Sequence, residues 1–289
     1  MGAVLLATLA GASFGCLTVA VQWGIRRGGD PYAGAFVAAA IGAIASAAVA
    51  IPAIALEGVR IEELLPFLGA GLVAPGTSQI LLTLAVRHAG SSRAAILMGA
   101  APLISIVMAW ILLDEVFRPL ALVGTVLIVL GTIALAGERT RPDHFRARGV
   151  VLALLCAVLF AVRDTTVRWA ARDVHPPPLV AAAASLLAAA ALTLAYLVFV
   201  HRHGLRTRLR QTIPAFAPAG IAVALGYDAL LAALDRGPVS IVSPLNATGS
   251  LWAVAFATLL IGRGEHIGLR IAAAGLLVVA GGMVVGMAR

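Results

Sequence analysis

The residues best placed to do chemistry are ionisable groups set inside long apolar runs. Arg163 and Asp164 fall near the middle of one such run, and Asp228 lies in the inner half of another. Charges at membrane depth are costly unless they face a protein interior or a water-filled cavity. Asp164, Arg168 and Arg172 stand at i, i+4 and i+8, which places them on one helical face beside Thr165 and Trp169. Two readings follow from that face: a structural ion pair between Asp164 and Arg168, or the lining of a substrate or proton path. Ser243, Asn246 and Ser250 recur at i, i+3 and i+7 of a later run, where amides and hydroxyls bind a ligand or join helices. Trp23, Trp110, Trp169 and Tyr227 supply cavity walls or an interfacial belt.

Other chemistries have little support. Gly11-Ala12-Ser13-Phe14-Gly15 matches the G-x-S-x-G pattern of hydrolases, but that motif needs a strained strand-to-helix turn and a histidine within reach. Here it sits inside an apolar run, and all 6 histidines fall in loops or at the ends of runs. No spacing of His, Cys, Asp and Glu suggests a metal, and no glycine-rich phosphate loop joins a strand to a helix. The expectation is a protein that is not an enzyme and needs no cofactor.

The elements that must position these residues are membrane spans. The chain has 289 residues, 61% hydrophobic and 12% charged, with a mean hydropathy of +1.02; such a composition belongs in lipid. A span takes about 20 apolar residues, and the sequence predicts ten, near 3–25, 31–56, 64–86, 94–113, 120–137, 149–172, 177–200, 212–234, 240–261 and 267–288. Short connections leave no place for a soluble domain between them. The first run lacks the basic n-region of a cleaved signal peptide and is expected to be retained. The 2 cysteines, Cys16 and Cys156, lie within spans and exclude a disulfide framework.

A single pattern occurs twice. The run Leu103, Ser105, Trp110, Leu113, Asp114-Glu115 with Gly124, Leu127, Val129 and Gly131 behind it is echoed by Glu265 with Gly275, Leu277, Val279 and Gly281. A shift of 146 to 150 residues also superposes Phe14 on Phe160, Val21 on Val167, Trp23 on Trp169, Arg26 on Arg172 and Pro31 on Pro177. Five spans per copy is an odd number, so the second copy must run through the bilayer upside down. Inverted repeats are the architecture of secondary transporters, whose two half-bundles rock around a site at the midplane. In the duplicated frame Leu17 stands for Arg163, Thr18 for Asp164, Gln22 for Arg168 and Gln79 for Asp228, so one half is charged where the other is neutral. A site for a polar solute could use that asymmetry.

These observations predict an all-α integral membrane protein, with ten transmembrane helices in two inverted five-helix repeats around a central cavity. The repeats are 1–137 and 149–289, joined by the polar linker 138–148. The candidate substrate-binding or coupling residues are Arg163, Asp164, Arg168, Asp228, Trp169, Tyr227, Gln22, Trp23, Gln79, Asn246 and Ser250. Asp228 is expected to pair with Arg163 or Arg168. Prolines Pro52, Pro75, Pro102, Pro218 and Pro244 mark expected interruptions of spans, and Gly11-xxx-Gly15 and Gly282-xxx-Gly286 permit close helix approach. Of the 21 basic residues, all arginine, fourteen fall on the face opposite the termini and six on the face carrying them. The positive-inside rule then puts both termini outside, with 138–148 and 201–211 cytoplasmic. The net charge of +8 concerns orientation and anionic lipid rather than nucleic acid. Residues 202–210 could form a short interfacial helix or a solvated loop.

The same residues resemble a known family. Ala101-Pro102-Leu103 with Trp110, Leu112-Leu113-Asp114-Glu115 and Gly124 to Gly131, then Gly237-Pro238-Val239-Ser240, Ser243-Pro244-Leu245, Gly262 to Glu265 and Gly275 to Gly282, are similar to the EamA-like group of the drug/metabolite transporter superfamily. The resemblance covers essentially the whole chain. It implies ten helices in two inverted repeats around a central cavity, and movement of amino acids, nucleobases, sugars or other metabolites, by export in many relatives. With the inverted repeat and the embedded polar residues, the expectation is a secondary transporter of a small polar or amphipathic metabolite in the cell inner membrane. The resemblance also implies cytoplasmic termini, opposite to the arginine count. Leu251-Trp252 replace Pro102 near the helix bend of the second repeat, which predicts unequal bending of the halves. The partners expected are a metabolite, membrane lipids and protons as the candidate coupling ion, in a monomer or homodimer. The alternative function is a membrane-embedded enzyme or lipid flippase.

Overall fold

The computed structural model describes residues 2–89, 94, 97–136, 147–200, 204–261 and 269–287. Most of the linker, residues 201–203 and Glu265 lie outside the described residues. Every regular element among those described is helical, as lipid requires of a segment that cannot lend its backbone groups to water. The helices are α1 (Gly2–Arg26), α2 (Pro31–Glu57), α3 (Ile61–Gly71), α4 (Ser78–Ala89), α5 (Ala101–Leu112), α6 (Pro119–Ala136), α7 (Ala147–Asp173), α8 (Pro178–Val200), α9 (Leu205–Arg236), α10 (Val239–Ala247), α11 (Gly249–Ile261) and α12 (Leu269–Met287).

Among the described residues, six stretches are long and apolar enough to cross a membrane: Gly2–Arg26, Pro31–Leu56, Ile61–Ala89, Arg148–Asp173, Pro178–Phe199 and Leu205–Arg236. The ten expected crossings are therefore not all carried by long helices. α5, α6, the α10–α11 pair and α12 stand where the remaining four were expected, and they are shorter or interrupted. Large apolar side chains such as Leu5, Ile44, Leu56, Ile111 and Phe199 project outward on these helices, a surface that lipid stabilises and water would not.

Local chemistry sets the ends and the breaks. Asp30 caps α2, its Oδ1 accepting from the backbone N–H groups of Tyr32 and Ala33 at 3.0 and 2.9 Å, with Pro31 at the first helical position, where its missing N–H costs nothing. Its other oxygen pairs with Arg208 Nη1 at 3.0 Å. Span three is interrupted between α3 and α4, where Ala74 takes φ −147°, ψ 122° just before Pro75. Pro52, Pro218 and Pro244 lie inside continuous helices, so these three do not break the chain as expected. Span nine is instead interrupted at Thr248, whose Oγ1 donates to the Leu245 carbonyl at 2.7 Å and competes with the helical ladder. Shifted by 149 residues, that position is Gly99, where span four is also interrupted. Both spans thus break at equivalent places, the second beside the Thr248 hydroxyl.

Packing follows the duplication. α1 packs on α9, α10 and α11, and its repeat equivalent α7 packs on α4 and α5; α2 packs on α8, and α6 on α12. The principal contacts run between halves, so each repeat buries its inner face on the other. Two close approaches make this possible. A Cβ on Gly15 would come within 2.6 Å of the Gly249 carbonyl oxygen and 2.7 Å of Ala253 N, and one on Gly124 within 2.7 Å of the Gly281 carbonyl. Such contacts supply the van der Waals packing that holds helices together in lipid.

Candidate functional site

A cavity of about 90 Å³ opens where the two interrupted spans meet α1, α4, α7 and α9. Its walls combine Phe14, Leu17 and Thr18 from α1, Ser78, Gln79 and Leu82 from α4, Phe160, Arg163 and Asp164 from α7, and Val223 and Tyr227 from α9. Met98, Gly99, Ala101 and Pro102 close it on one side, and Ser243, Asn246, Ala247, Gly249 and Ser250 on the other. Pro75, beside the break in span three, also faces it. Interrupted helices converging on a cavity between the halves match the way transporter folds expose backbone only where it lines a site.

The centre of the cavity wall is an ion pair. Arg163 is 2% exposed and Asp164 1%. Arg163 donates from Nε at 2.9 Å and from Nη2 at 2.7 Å to a single oxygen, Asp164 Oδ1, and from Nη1 to the Tyr227 hydroxyl at 2.9 Å. Its guanidinium also lies over the rings of Phe160 and Tyr227, 5.1 and 5.3 Å from their centroids, within the range of cation–π attraction. Tyr227 in turn meets Phe14 edge to face at 5.6 Å. A buried arginine therefore has a counter-charge, a hydroxyl and two aromatic faces, which is what burial of a charge demands.

The remaining lining is largely apolar, and its polar groups are partly unsatisfied. Ser243 Oγ donates to Ser105 Oγ at 3.0 Å, tying α10 to α5 across the repeats. Gln79 Nε2 and Asn246 Oδ1 are buried without a hydrogen-bond partner. Below the cavity, Glu115 holds the start of α10: its two carboxylate oxygens accept from Val239 N at 2.9 Å and Ser240 N at 3.2 Å. A carboxylate at a helix N-terminus satisfies orphan donors and opposes the positive end of the dipole.

Of the residues singled out from sequence, Arg163, Asp164, Tyr227, Gln79, Ser243, Asn246 and Ser250 line this cavity. The others lie elsewhere. Arg168 does not pair with Asp164; its Nη1 donates to the carbonyls of Leu234 at 2.9 Å and Asp235 at 3.2 Å, the unsatisfied acceptors at the end of α9. Trp169 is 53% exposed on the outer surface. Trp23 stacks under Arg27, 3.8 Å from the guanidinium carbon to its centroid, and neither it nor Gln22 lines the cavity. Asp228 pairs with neither arginine; it accepts from Ser46 Oγ of α2 at 2.5 Å. The expected four-charge cluster is thus an Arg163–Asp164 pair alone, because adjacent residues on α9 diverge by about 100° and Tyr227 takes the inward direction that Asp228 cannot share. Phe14, Thr18, Ser78 and Phe160 were not singled out. The signal was present: Phe14 and Phe160 superpose in the duplicated frame, and Thr18 is the equivalent of Asp164.

A family model described as the EamA-like transporter family matches residues 1–137 and again residues 147–287. The chain belongs to the EamA-like transporter family. That membership makes it a multi-pass membrane protein of drug/metabolite transporter type. Among solved structures it is similar to one described only as a crystal structure of a protein, at a TM-score of 0.73 and 22% identity, covering 99% of this chain and 97% of that one. At that identity the likeness concerns the fold. No curated protein matches. In this EamA-like chain both matched segments contribute residues to the cavity.

Proposed function

We propose that this EamA-like protein is a secondary transporter that exports a small polar or amphipathic metabolite by alternating access, without ATP hydrolysis of its own. Two five-span repeats, 1–137 and 149–289, with 138–148 as linker, would rock about the cavity as ten spans in the cell inner membrane. The observation that carries this reading is the cavity between the halves, lined by a buried Arg163–Asp164 pair and by polar groups left without partners. Lipid-facing helices have no use for such groups, whereas a solute that sheds its hydration on entry does. Asp228, which accepts from Ser46 of α2 and does not line the cavity, is the candidate proton carrier, since embedded carboxylates relay protons in pumps and transporters. The arginine asymmetry places 201–211 in the cytoplasm; a cysteine introduced at position 206 should resist impermeant thiol reagents in intact cells, and labelling there would reverse the orientation.

Counterflow into proteoliposomes, driven by a gradient of solute or protons and with no nucleotide present, tests the function. Uptake by protein-containing vesicles alone is the expected result. Product formation from a membrane substrate, or lipid translocation, without solute flux would favour an embedded enzyme or flippase. Asp228→Asn should abolish proton-driven accumulation while leaving downhill exchange intact, and unchanged coupling would remove that carboxylate from the mechanism.

A further inference from the structure

We infer that the cavity is built for a small, planar, uncharged solute that presents a hydrogen-bond donor and acceptor side by side, such as a carboxamide or a lactam. The inference deepens the transporter reading and rests on it, since it treats the cavity as the solute's path.

Charge comes first. Among the described lining residues the ionic groups are Arg163 and Asp164, and they are bonded to each other at 2.7 Å with both side chains 2% exposed. Each neutralises the other, and Arg163 also donates from Nη1 to the Tyr227 hydroxyl. An ionic solute entering this space would lose its hydration and find no spare counter-charge, which is the costly case for burial. A neutral solute bears no such cost.

The polar groups left over define the complement. Gln79, 3% exposed on α4, has a buried Nε2 donor without an acceptor, and Asn246 on α10 has a buried Oδ1 without a donor. Buried polar atoms are normally paired, and each left unpaired is destabilising. Both are carboxamides, one from each repeat, so together they present a donor and an acceptor. Rotation of both about their last torsions exchanges the ends together and leaves one donor and one acceptor to be met by the same partner. An amide group is such a partner; an ether, a ketone or a carboxylate is not, since each lacks the donor.

Phe14, Phe160 and Tyr227 are the aromatic residues of the lining, and aromatic rings favour a flat solute with faces to stack. A volume of about 90 Å³ lies below the roughly 300–1,000 Å³ of pockets for drug-sized ligands. That selects a solute of one ring or less.

Benzamide is the probe, with acetophenone, benzoate and benzylammonium as analogues that delete the donor, add a negative charge or add a positive one. Binding to wild-type protein in detergent micelles is followed by titration calorimetry and by the rise in melting temperature that a native-state ligand causes. Benzamide should bind, and each analogue should bind about tenfold more weakly or worse. Gln79→Met and Asn246→Leu should each weaken benzamide by about tenfold, while Trp169→Leu, on the outer surface, should not change its affinity. The wild-type ligand series decides the matter even if a cavity variant fails to fold. Equal or tighter binding of benzoate or benzylammonium, no binding of benzamide, or unaltered affinity in a folded Gln79→Met protein would overturn the inference. Counterflow separates it from the transporter reading. Benzamide that binds through Gln79 without being moved upholds the site and contradicts transport, whereas flux of a charged solute that benzamide does not compete upholds transport and overturns the site.

Discussion

The two repeats build one cavity from unlike chemistry. In the first, Leu17, Thr18 and Ser78 face the space; in the second, the equivalent positions are Arg163, Asp164 and Tyr227. Backbone symmetry is kept: α1 and α7 meet equivalent helices of the opposite half, and spans four and nine break at equivalent points. The duplication accounts for where the cavity lies, and substitution within one half accounts for its charged wall. A charged pair on a single wall gives the cavity a polar side and an apolar side, which a symmetric lining could not.

The sharpest way to break this comparison is to leave one charge unpaired. Asp164→Ala strands the Arg163 guanidinium in a site with 2% exposure, and loss of one member of a buried pair costs about 3–5 kcal/mol. Unfolding in mixed detergent micelles should register that loss. Replacing both residues with those of the first repeat, Arg163→Leu with Asp164→Thr, should recover most of the stability, because apolar replacement of a whole buried pair is close to neutral, yet should leave transport abolished. A double variant as unstable as Asp164→Ala would mean the second half cannot accept the first half's wall.

Tyr227→Phe comes next. It keeps the ring against Phe14 and removes the oxygen that accepts from Arg163 at 2.9 Å; a hydrogen bond to a charged group contributes about 1.5–3 kcal/mol. Glu115→Ala removes the carboxylate cap from α10, and loss of such a cap costs about 0.5–2 kcal/mol. Amide exchange at Val239 and Ser240 should quicken with it, and unchanged protection there would show that α10 does not depend on the first repeat for its start. Trp169→Leu should do least. Its side chain is 53% exposed, and surface changes of that kind stay within about 0.5 kcal/mol; a large loss of transport would return Trp169 to the site.

The membrane class, the duplication and the depth of Arg163 and Asp164 were legible in the sequence, because hydropathy and internal periodicity depend on residue type alone. Which face of a helix meets a neighbour does not. Arg168 shares a helical stripe with Asp164 by spacing, but the free carbonyls of Leu234 and Asp235 lie closer to hand and capture it. Asp228 and Tyr227 are neighbours in sequence, and only the packing of α9 between α1 and α2 decides that the phenol points at the cavity and the carboxylate at Ser46. The lining role of Thr18 and Phe14 was readable only by carrying the second repeat's residues back onto the first, and the threonine break at Thr248 leaves no mark as plain as a proline.

The most direct test of the account asks whether the cavity opens to each side of the membrane in turn. Thr18→Cys lies on the neutral wall opposite Arg163 and Asp164 in the duplicated frame, and Cys16→Ala with Cys156→Ala removes the two native thiols. In sealed proteoliposomes of defined orientation, an impermeant thiol reagent applied from either side should label position 18, and saturating solute should slow both reactions. Labelling from one side alone, or from neither, would contradict alternating access through this cavity.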